Sequence, residues 1–348
     1  MGQVMAKEYK QVTEEDNPRI TIQDVATALG ISKTTVSRAI SGKGRIGEET
    51  RQKVLDYIEK HDYKPNPIAK GLAQQRTYNI GWVMPGDSEI TDLPFFQSSM
   101  SGVCEEAAAN DYDVLLSMVY NKGMDSLKRM VTGNKVDGVI LARTLVDDQN
   151  VRYLKESGIP FVVIGSTSES DVVQIDNDHI AACKDLTANL VNSGLTSLIL
   201  IGGDDNHVVN MSRKSGYEAG IEDSQKKPVD SSIFLNCEDA EAVEKAVTAA
   251  LEKQADCIIC MDDKICGLAL DILRKKKLSV PGDIKLASFY NSDLINKLEP
   301  GITAIQYSPK TLGTMACSTL MNYINGEKVP MRTLMSYEIL LKESTAIK

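Results

Sequence analysis

Two groups of side chains in this 348-residue chain have types and spacings that can do chemistry. The first runs through Ser32-Lys33-Thr34-Thr35-Val36-Ser37-Arg38. At helical spacing Val36 turns inward and Lys33, Thr34, Ser37 and Arg38 share the outer face, as on a helix laid into the major groove. An arginine fork there can take a guanine through O6 and N7. The second group follows apolar, strand-like runs: Phe95-Phe96, Arg143 with Asp147, Asn210 with Arg213, Asp262-Asp263, and Tyr290. Arginines and carboxylates offer paired hydrogen bonds in fixed geometry to vicinal hydroxyls or an anionic group. Aromatic faces stack on sugar rings or planar bases. Plainer readings stand beside these: Phe95-Phe96 as a helix start packed into its own lobe, and Arg143 with Asp147 as a solvated surface pair.

Catalysis is not expected. The adjacent carboxylates Asp147-Asp148 and Asp262-Asp263 point apart at a strand end and form no spaced dyad. His61, His179 and His207 lack metal-ligand spacing, and neither a P-loop nor a nucleophile elbow occurs. Cys257-Ile258-Ile259-Cys260 has the spacing of a redox or zinc pair but lies in a buried-strand pattern with no second pair and no nearby histidine. No cofactor and no metal are expected. The seven scattered cysteines fit free thiols in a reducing cytoplasm.

The elements that must position these residues change character along the chain. Ile22, Val25, Ala26 and Leu29 form one apolar face of a first helix, Gly30 supplies the turn, and Ser32 caps a second helix in which Val36 and Ile40 point inward. A third helix, from 48 to 60, packs through Val54, Leu55 and Ile58. Pro65-Asn66-Pro67 then opens a segment of about two helical turns through Ala69, Gly71 and Leu72. A helix that short is marginal alone and should order on a partner, with Leu72 a candidate wedge for a minor-groove step. An interdomain linker is the other reading. From about 79 onward, Val- and Ile-rich strands at 80–84, 114–117, 138–142, 161–165, 198–202, 257–261 and 285–289 alternate with amphipathic helices. That alternation predicts a parallel α/β sheet covered on both faces, and its length predicts two similar lobes. Ligands in such sheets sit beyond the carboxyl ends of the strands, which is where the second group lies. The divisions expected are 1–18 as a disordered tail, 19–64 as the helical domain, 65–78 as hinge helix and linker, and 79–348 as the body.

Charge is divided in the same way. The chain carries −9 overall, but residues 18–78 hold eleven basic against six acidic residues, a surplus of five, which leaves −14 on the remainder. A basic module on an acidic body is the footprint of a protein in which one part meets phosphate. No apolar run reaches the roughly 20 residues of a membrane span, and residues 1–17 lack the apolar segment of a secretory signal.

The motifs together carry a family resemblance. Val25-Ala26, Ser32-x-x-Thr35-Val36-Ser37-Arg38, Pro65-Asn66-x-x-Ala69-x-x-Leu72 and Ile80-Gly81 are followed by Arg213-x-x-Gly216-Tyr217 and Val280-Pro281-x-Asp283-Ile284. After these come Ile302-Thr303-x-Ile305-Gln306 with Leu312-Gly313, and the closing Glu343-Ser344-Thr345. In this order the chain, from about 20 to 345, resembles the lactose/galactose repressor family. The resemblance implies an α helix-turn-helix domain joined to an α/β, periplasmic-binding-protein-like body of two lobes with parallel sheets and a crossed connection. It implies a cytoplasmic homodimer, with a tetramer as the alternative assembly, reading a pseudo-palindromic operator in double-stranded DNA with paired hinge helices in the minor groove. Lys33, Thr34 and Arg38 match base-reading positions, while Thr21, Thr35, Ser37 and Asn66 suit phosphate or positioning contacts. A small-molecule effector, a carbohydrate in many members, is implied between the lobes, with Arg213 matching an effector-contacting arginine. Arg143 and Asp147 resemble a pattern of sugar-responsive members. Tyr290 departs from the family, since many members have a carboxylate there; a phenol can stack on the ligand or partly fill the cleft. Control by a phosphorylated carrier protein is the alternative implied by some relatives, and a solute-binding protein or enzyme on the same body fold is the more distant one. From this reading, Leu72→Ala should weaken operator binding with effector affinity unchanged; equal operator affinity in a gel-shift titration would remove the wedge role.

Overall fold

The structure, a computed structural model, describes residues 20–42, 44–63, 71, 74–86, 94–120, 123–224 and 230–347. The expected tail and the hinge positions Asn66, Ala69 and Leu72 lie outside the described residues. The chain divides into two compact units between Arg76 and Thr77.

The first unit holds α1 (Ile22–Leu29), α2 (Lys33–Ser41) and α3 (Glu48–Lys60). Thr21 and Asp24 cap α1 reciprocally: the Thr21 hydroxyl accepts from the Asp24 N–H, and the Asp24 carboxylate accepts from the Thr21 N–H at 2.8 Å. Gly30 ends the helix at φ 64, a conformation that disfavours any residue with a Cβ. Ser32 then accepts from the Thr35 N–H at 3.1 Å and starts α2. Val25, Ala26, Val36, Ala39, Val54 and Tyr63 form the small core. Ile40 packs against this core as expected, beside the fully buried Ala39. One expectation is corrected: Leu55 is 38% exposed, and Tyr57 joins Ile58 in the packing of α3.

The body begins two residues earlier than expected, for a specific reason. The Asp137 carboxylate accepts from the Thr77 N–H at 2.7 Å, the Thr77 hydroxyl at 2.8 Å and the Tyr78 N–H at 3.0 Å. The second lobe repeats this device: Asp256 accepts from the Thr196 N–H and hydroxyl and from the Ser197 N–H. In each lobe one aspartate, just before a central strand, ties down the entry to the neighbouring strand.

The N-terminal lobe runs β1 (Asn79–Pro85), α4 (Pro94–Ala109), β2 (Asp113–Val119), α5 (Asp125–Thr132), β3 (Gly138–Leu141), α6 (Gln149–Ser157), β4 (Phe161–Ile164) and β5 (Val173–Asn177). The C-terminal lobe runs α7 (His179–Asn192), β6 (Leu198–Ile201), α8 (Val208–Asp223), β7 (Ile233–Phe234), α9 (Ala240–Glu252), β8 (Cys257–Cys260), α10 (Asp263–Lys275), β9 (Lys285–Ser288), α11 (Asp293–Asn296) and β10 (Thr303–Gln306). The chain then returns to the first lobe for α12 (Pro309–Ile324) and β11 (Arg332–Met335), and to the second for β12 (Glu338–Leu340). Strand orders are β11-β5-β4-β3-β1-β2 and β12-β10-β9-β8-β6-β7.

Among the described residues, every pairing of these strands is parallel except β10 with β12. The two sheets present their carboxyl ends to each other, so a chain running straight on from β11 enters the second sheet from the wrong end and must lie antiparallel. The strands not anticipated, β5, β7, β10, β11 and β12, are short or polar; β5 buries Gln174, Asp176 and Asn177, which no apolar-run criterion selects.

Each lobe also packs one helix pair backbone to backbone. A Cβ placed on Gly313 of α12 would lie 1.9 Å from the Ser99 carbonyl of α4, and one on Gly216 of α8 would lie 2.6 Å from the Ile180 carbonyl of α7. Gly313→Ala should therefore lower stability by about 1–3 kcal/mol or more through overpacking. Gly267, inside α10 with nothing within 4 Å of a built Cβ, should tolerate alanine with a gain of about 0.5–1 kcal/mol. Urea unfolding of both variants checks this pair; a neutral Gly313→Ala would contradict the close approach.

Candidate functional site

On α2, Lys33, Thr34, Ser37 and Arg38 are all exposed on the face opposite Val36 and Ala39. The Arg38 stem leans over Gly44, whose built Cβ would lie 3.3 Å from Arg38 Cδ. Thr35 is half-buried with its hydroxyl 2.9 Å from that of Ser32, and the Thr21 hydroxyl donates to Asp24 at 2.7 Å. Both hydroxyls shape helix starts. The four exposed side chains are those free of such duties in the helix, and they present donors of the kind that meet base edges and phosphates.

In the body, a cavity of about 190 Å³ lies between the lobes. Arg143, Asp148, Asp204 and His207 line its polar side and Val83 and Leu141 its apolar side. Of the two adjacent aspartates, the one on the wall is Asp148 rather than Asp147. Asp147 is exposed and ion-paired with Arg152, whereas Asp148 is 7% exposed and caps α6. Asp148 Oδ2 accepts from the Leu145 N–H at 3.0 Å and Oδ1 from the Asn150 N–H at 2.8 Å. Only one of two adjacent aspartates can be the N-cap, and the cap is the one held inward.

Beside the cavity the lobes are clasped through their backbones. The Val146 N–H donates to the Asn206 carbonyl at 2.9 Å and the Val208 N–H to the Thr144 carbonyl at 3.3 Å, making an antiparallel bridge of Leu145 with His207.

A second cluster lies further along α8. Arg213 is 7% exposed, its guanidinium carbon stands 5.9 Å from the Tyr290 ring centroid, and its Nε has no hydrogen-bond partner among the described residues. Tyr290 stacks on Tyr307 at 6.4 Å and meets Phe95 edge-on at 6.3 Å. Phe95 thus touches the cores of both lobes, while Phe96 is buried in the first. Asn210 is buried, and its amide donates to the Asp204 carbonyl at 2.8 Å, bracing the loop ahead of α8 instead of facing the cavity. Asp262 caps α10 through the Ile265 N–H at 2.8 Å, and Asp263 accepts from the Ser292 hydroxyl.

Residues that spacing did not single out complete this cluster. Asp176 accepts from the Ser166 hydroxyl at 2.8 Å and lies 3.5 Å from His179 Nε2, whose other ring nitrogen is 3.2 Å from the Tyr307 hydroxyl. Burial raises Asp262 and lowers His179, holding the imidazole neutral. Asp176, His179 and Tyr307 carried no sequence signal, because they lie in or just after β5 and β10, the strands that composition did not reveal. Burial also lifts Asp176 from 3.8 to about 6, against the lowering pull of the Ser166 and Asn177 hydrogen bonds and of Arg213 and Arg332. A carboxyl so raised binds its proton more tightly folded than unfolded. Its stabilising contribution is complete below pH 3.8 and is lost as pH rises through about 6. Asp176→Asn escapes that loss, so it should be more stable than the parent at pH 8, by an upper bound of about 3 kcal/mol at roughly 1.4 kcal/mol per pH unit. The difference should shrink on going to pH 5. Thermal unfolding at both values checks this. A difference that grows toward pH 5 would contradict the burial of this carboxylate.

Comparison with known proteins agrees with this geometry. Residues 21–66 match the family described as bacterial regulatory proteins, lacI family. Residues 77–343 match periplasmic binding proteins and sugar binding domain of LacI family. The chain is similar to the HTH-type transcriptional regulator MalR of Streptococcus pneumoniae, 28% identical over 333 residues, 93% of this chain and 99% of the relative. It is similar to catabolite control protein A of Priestia megaterium, 29% identical over 336 residues, 94% of this chain and 99% of the relative. In fold it is similar to the lac repressor dimer bound to operator and the anti-inducer ONPF, with a TM-score of 0.77, 20% identity, and coverage of 94% of this chain and 99% of that one. No helix among the described residues is long and apolar enough to cross a membrane. With a helix-turn-helix region and a two-sheet parallel α/β body each matched at its own place, the chain belongs to the LacI family of DNA-binding transcriptional regulators.

Proposed function

We propose that this regulator is a repressor that binds a pseudo-palindromic operator as a homodimer, and that a small molecule between the lobes, a sugar, sets its affinity for DNA. Lys33, Thr34 and Arg38 read base edges, Ser37 and the starts of α1 and α2 meet phosphate, and Asn66, Ala69 and Leu72 belong to the hinge that orders on the duplex. The observation that carries the effector reading is the adjacency of the polar cavity to the Thr144–Val208 and Val146–Asn206 clasp. A ligand on Arg143, Asp148 and His207 makes contacts with both lobes at the point where their backbones join. It therefore has different affinities for different lobe arrangements, which is the one requirement for coupling. His207 begins α8 and Arg213 lies further along it, so the cluster around Tyr290 shares any movement of that helix. In the first lobe, β3 carries Arg143 just beyond one end and Asp137 just before the other. Asp137 holds Thr77 and Tyr78, the first residues after the hinge segment, so a displacement of β3 reaches the chain that leaves the DNA-reading unit. The names of the relatives support the regulatory role: a transcriptional regulator, a catabolite control protein and a repressor solved on operator.

The test is a gel-shift titration on a duplex enriched by the protein from a random library, with and without a panel of sugars. Saturating effector should change operator affinity by roughly 5–150-fold, the usual range of allosteric coupling. Arg143→Ala and Arg213→Ala should still bind the duplex and lose the response. If no sugar alters DNA binding and a phosphorylated carrier protein does, control from the body surface replaces this reading.

A further inference from the structure

In the DNA-reading unit the chain after α2 lays two glycines against two arginines. Gly42 ends α2 in the left-handed region at φ 67, and a Cβ built on it would lie 3.1 Å from Nη2 of Arg51, near the start of α3. Gly44 follows at φ 93, and its built Cβ would lie 3.3 Å from Arg38 Cδ, 3.5 Å from Nε and 3.6 Å from Cγ. The two glycines share a backbone region but not a neighbour: Gly42 meets Arg51, and Gly44 meets three consecutive atoms of Arg38, on the exposed face of α2. A methyl group at position 44 would press that stem aside. This matters because a guanine is taken through O6 and N7 together, so the direction of the fork decides whether one bond or two can form. A phosphate contact fixes no base and tolerates a fork that has moved. Immobilising a long side chain at an interface also weakens binding by roughly 2–10-fold, and a stem already resting on bare backbone has lost part of that freedom before DNA arrives.

We infer that Gly44 is a specificity-determining positioning residue: its side-chain-free backbone is the rest on which the Arg38 stem lies, and it aims the guanidinium fork at one guanine. Gly44 acts only through Arg38, so this role rests on the reading of Arg38 as a base contact, and the experiment separates the two.

Fluorescence anisotropy would measure binding of the full-length protein to a duplex that the wild type enriches from a random library, and to each single-base-pair variant of that duplex. Arg38→Ala should lower discrimination at one base pair by about 5–150-fold, the worth of a bidentate contact, and so mark the pair that Arg38 reads. Gly44→Ala should lower discrimination at that same pair by about 2–10-fold and leave it unchanged elsewhere. Gly42→Ala places a Cβ at a comparable positive φ away from Arg38, so it should weaken binding to all the duplexes alike. Gly44→Asn guards against misfolding of the alanine variant, because asparagine tolerates the left-handed region better than most residues with a Cβ. It should show the same selective loss, with circular dichroism melting as the check on every variant. A uniform loss, or none, in the folded Gly44 variants would overturn the positioning role while leaving Arg38 as a base contact. A selective loss at the same pair in Gly42→Ala would overturn it as well. If Arg38→Ala keeps every base preference, the base-reading role of Arg38 fails, and the role of Gly44 with it.

Discussion

Burying the Arg213 guanidinium between two sheets constrains everything around it. A charge at 7% exposure has given up most of its water, and such a group persists only among compensating partners. The compensation is electrostatic and comes from several elements: the Tyr290 ring at the end of β9, Asp262 at the start of α10 and Asp176 at the end of β5. Asp176 and His179 lie at one chain crossing between the lobes and Tyr307 at another, and these three are joined side chain to side chain. The cluster therefore sits where a change in lobe arrangement would be felt. That location explains why it tolerates a raised carboxyl and a neutral imidazole in one place.

The same two-lobe logic explains features that look unrelated. Facing carboxyl ends bring the loops that follow the parallel strands to the cleft, force the last strand to run antiparallel, and let loops 144–146 and 206–208 meet as a backbone clasp. Each lobe begins with an aspartate clamp and contains a glycine-mediated helix crossing. The clamp at Asp137 has the further consequence of fixing Thr77 and Tyr78 to a strand that ends beside Arg143. Under the proposed effector reading, that strand would be a short mechanical route from the cavity to the first residues of the body.

How far the sequence disclosed this varied with the physics of each element. The first three helices were legible because caps and apolar faces are local: Thr21, Gly30 and Ser32 act within a few residues of themselves. The long Val- and Ile-rich strands were legible from periodicity alone. β5 was not, because its Asp176 and Asn177 are buried by partners that arrive from distant crossings, and β11 and β12 are defined by pairing instead of composition. Position after a strand end pointed to Arg143, which lines the cavity, but could not choose Asp148 over Asp147, since the choice depends on which aspartate caps α6. Nor could it show that Asn210 braces a loop, or that His179 joins a buried network, because both roles are set by contacts remote in sequence.

The central claim, that lobe arrangement governs DNA affinity, is tested most directly by locking the clasp. Thr144→Cys with Val208→Cys places two thiols opposite each other beside the interlobe bridge and off the cavity lining, where side chains of a paired position lie about 4.5–5.5 Å apart at Cβ. Operator affinity would be measured by fluorescence anisotropy for the oxidised and reduced double variant, with and without a sugar that shifts the wild type. The account predicts that the oxidised protein binds DNA with an affinity that the sugar no longer changes, and that reduction restores the response. A full sugar response in the crosslinked protein would contradict it.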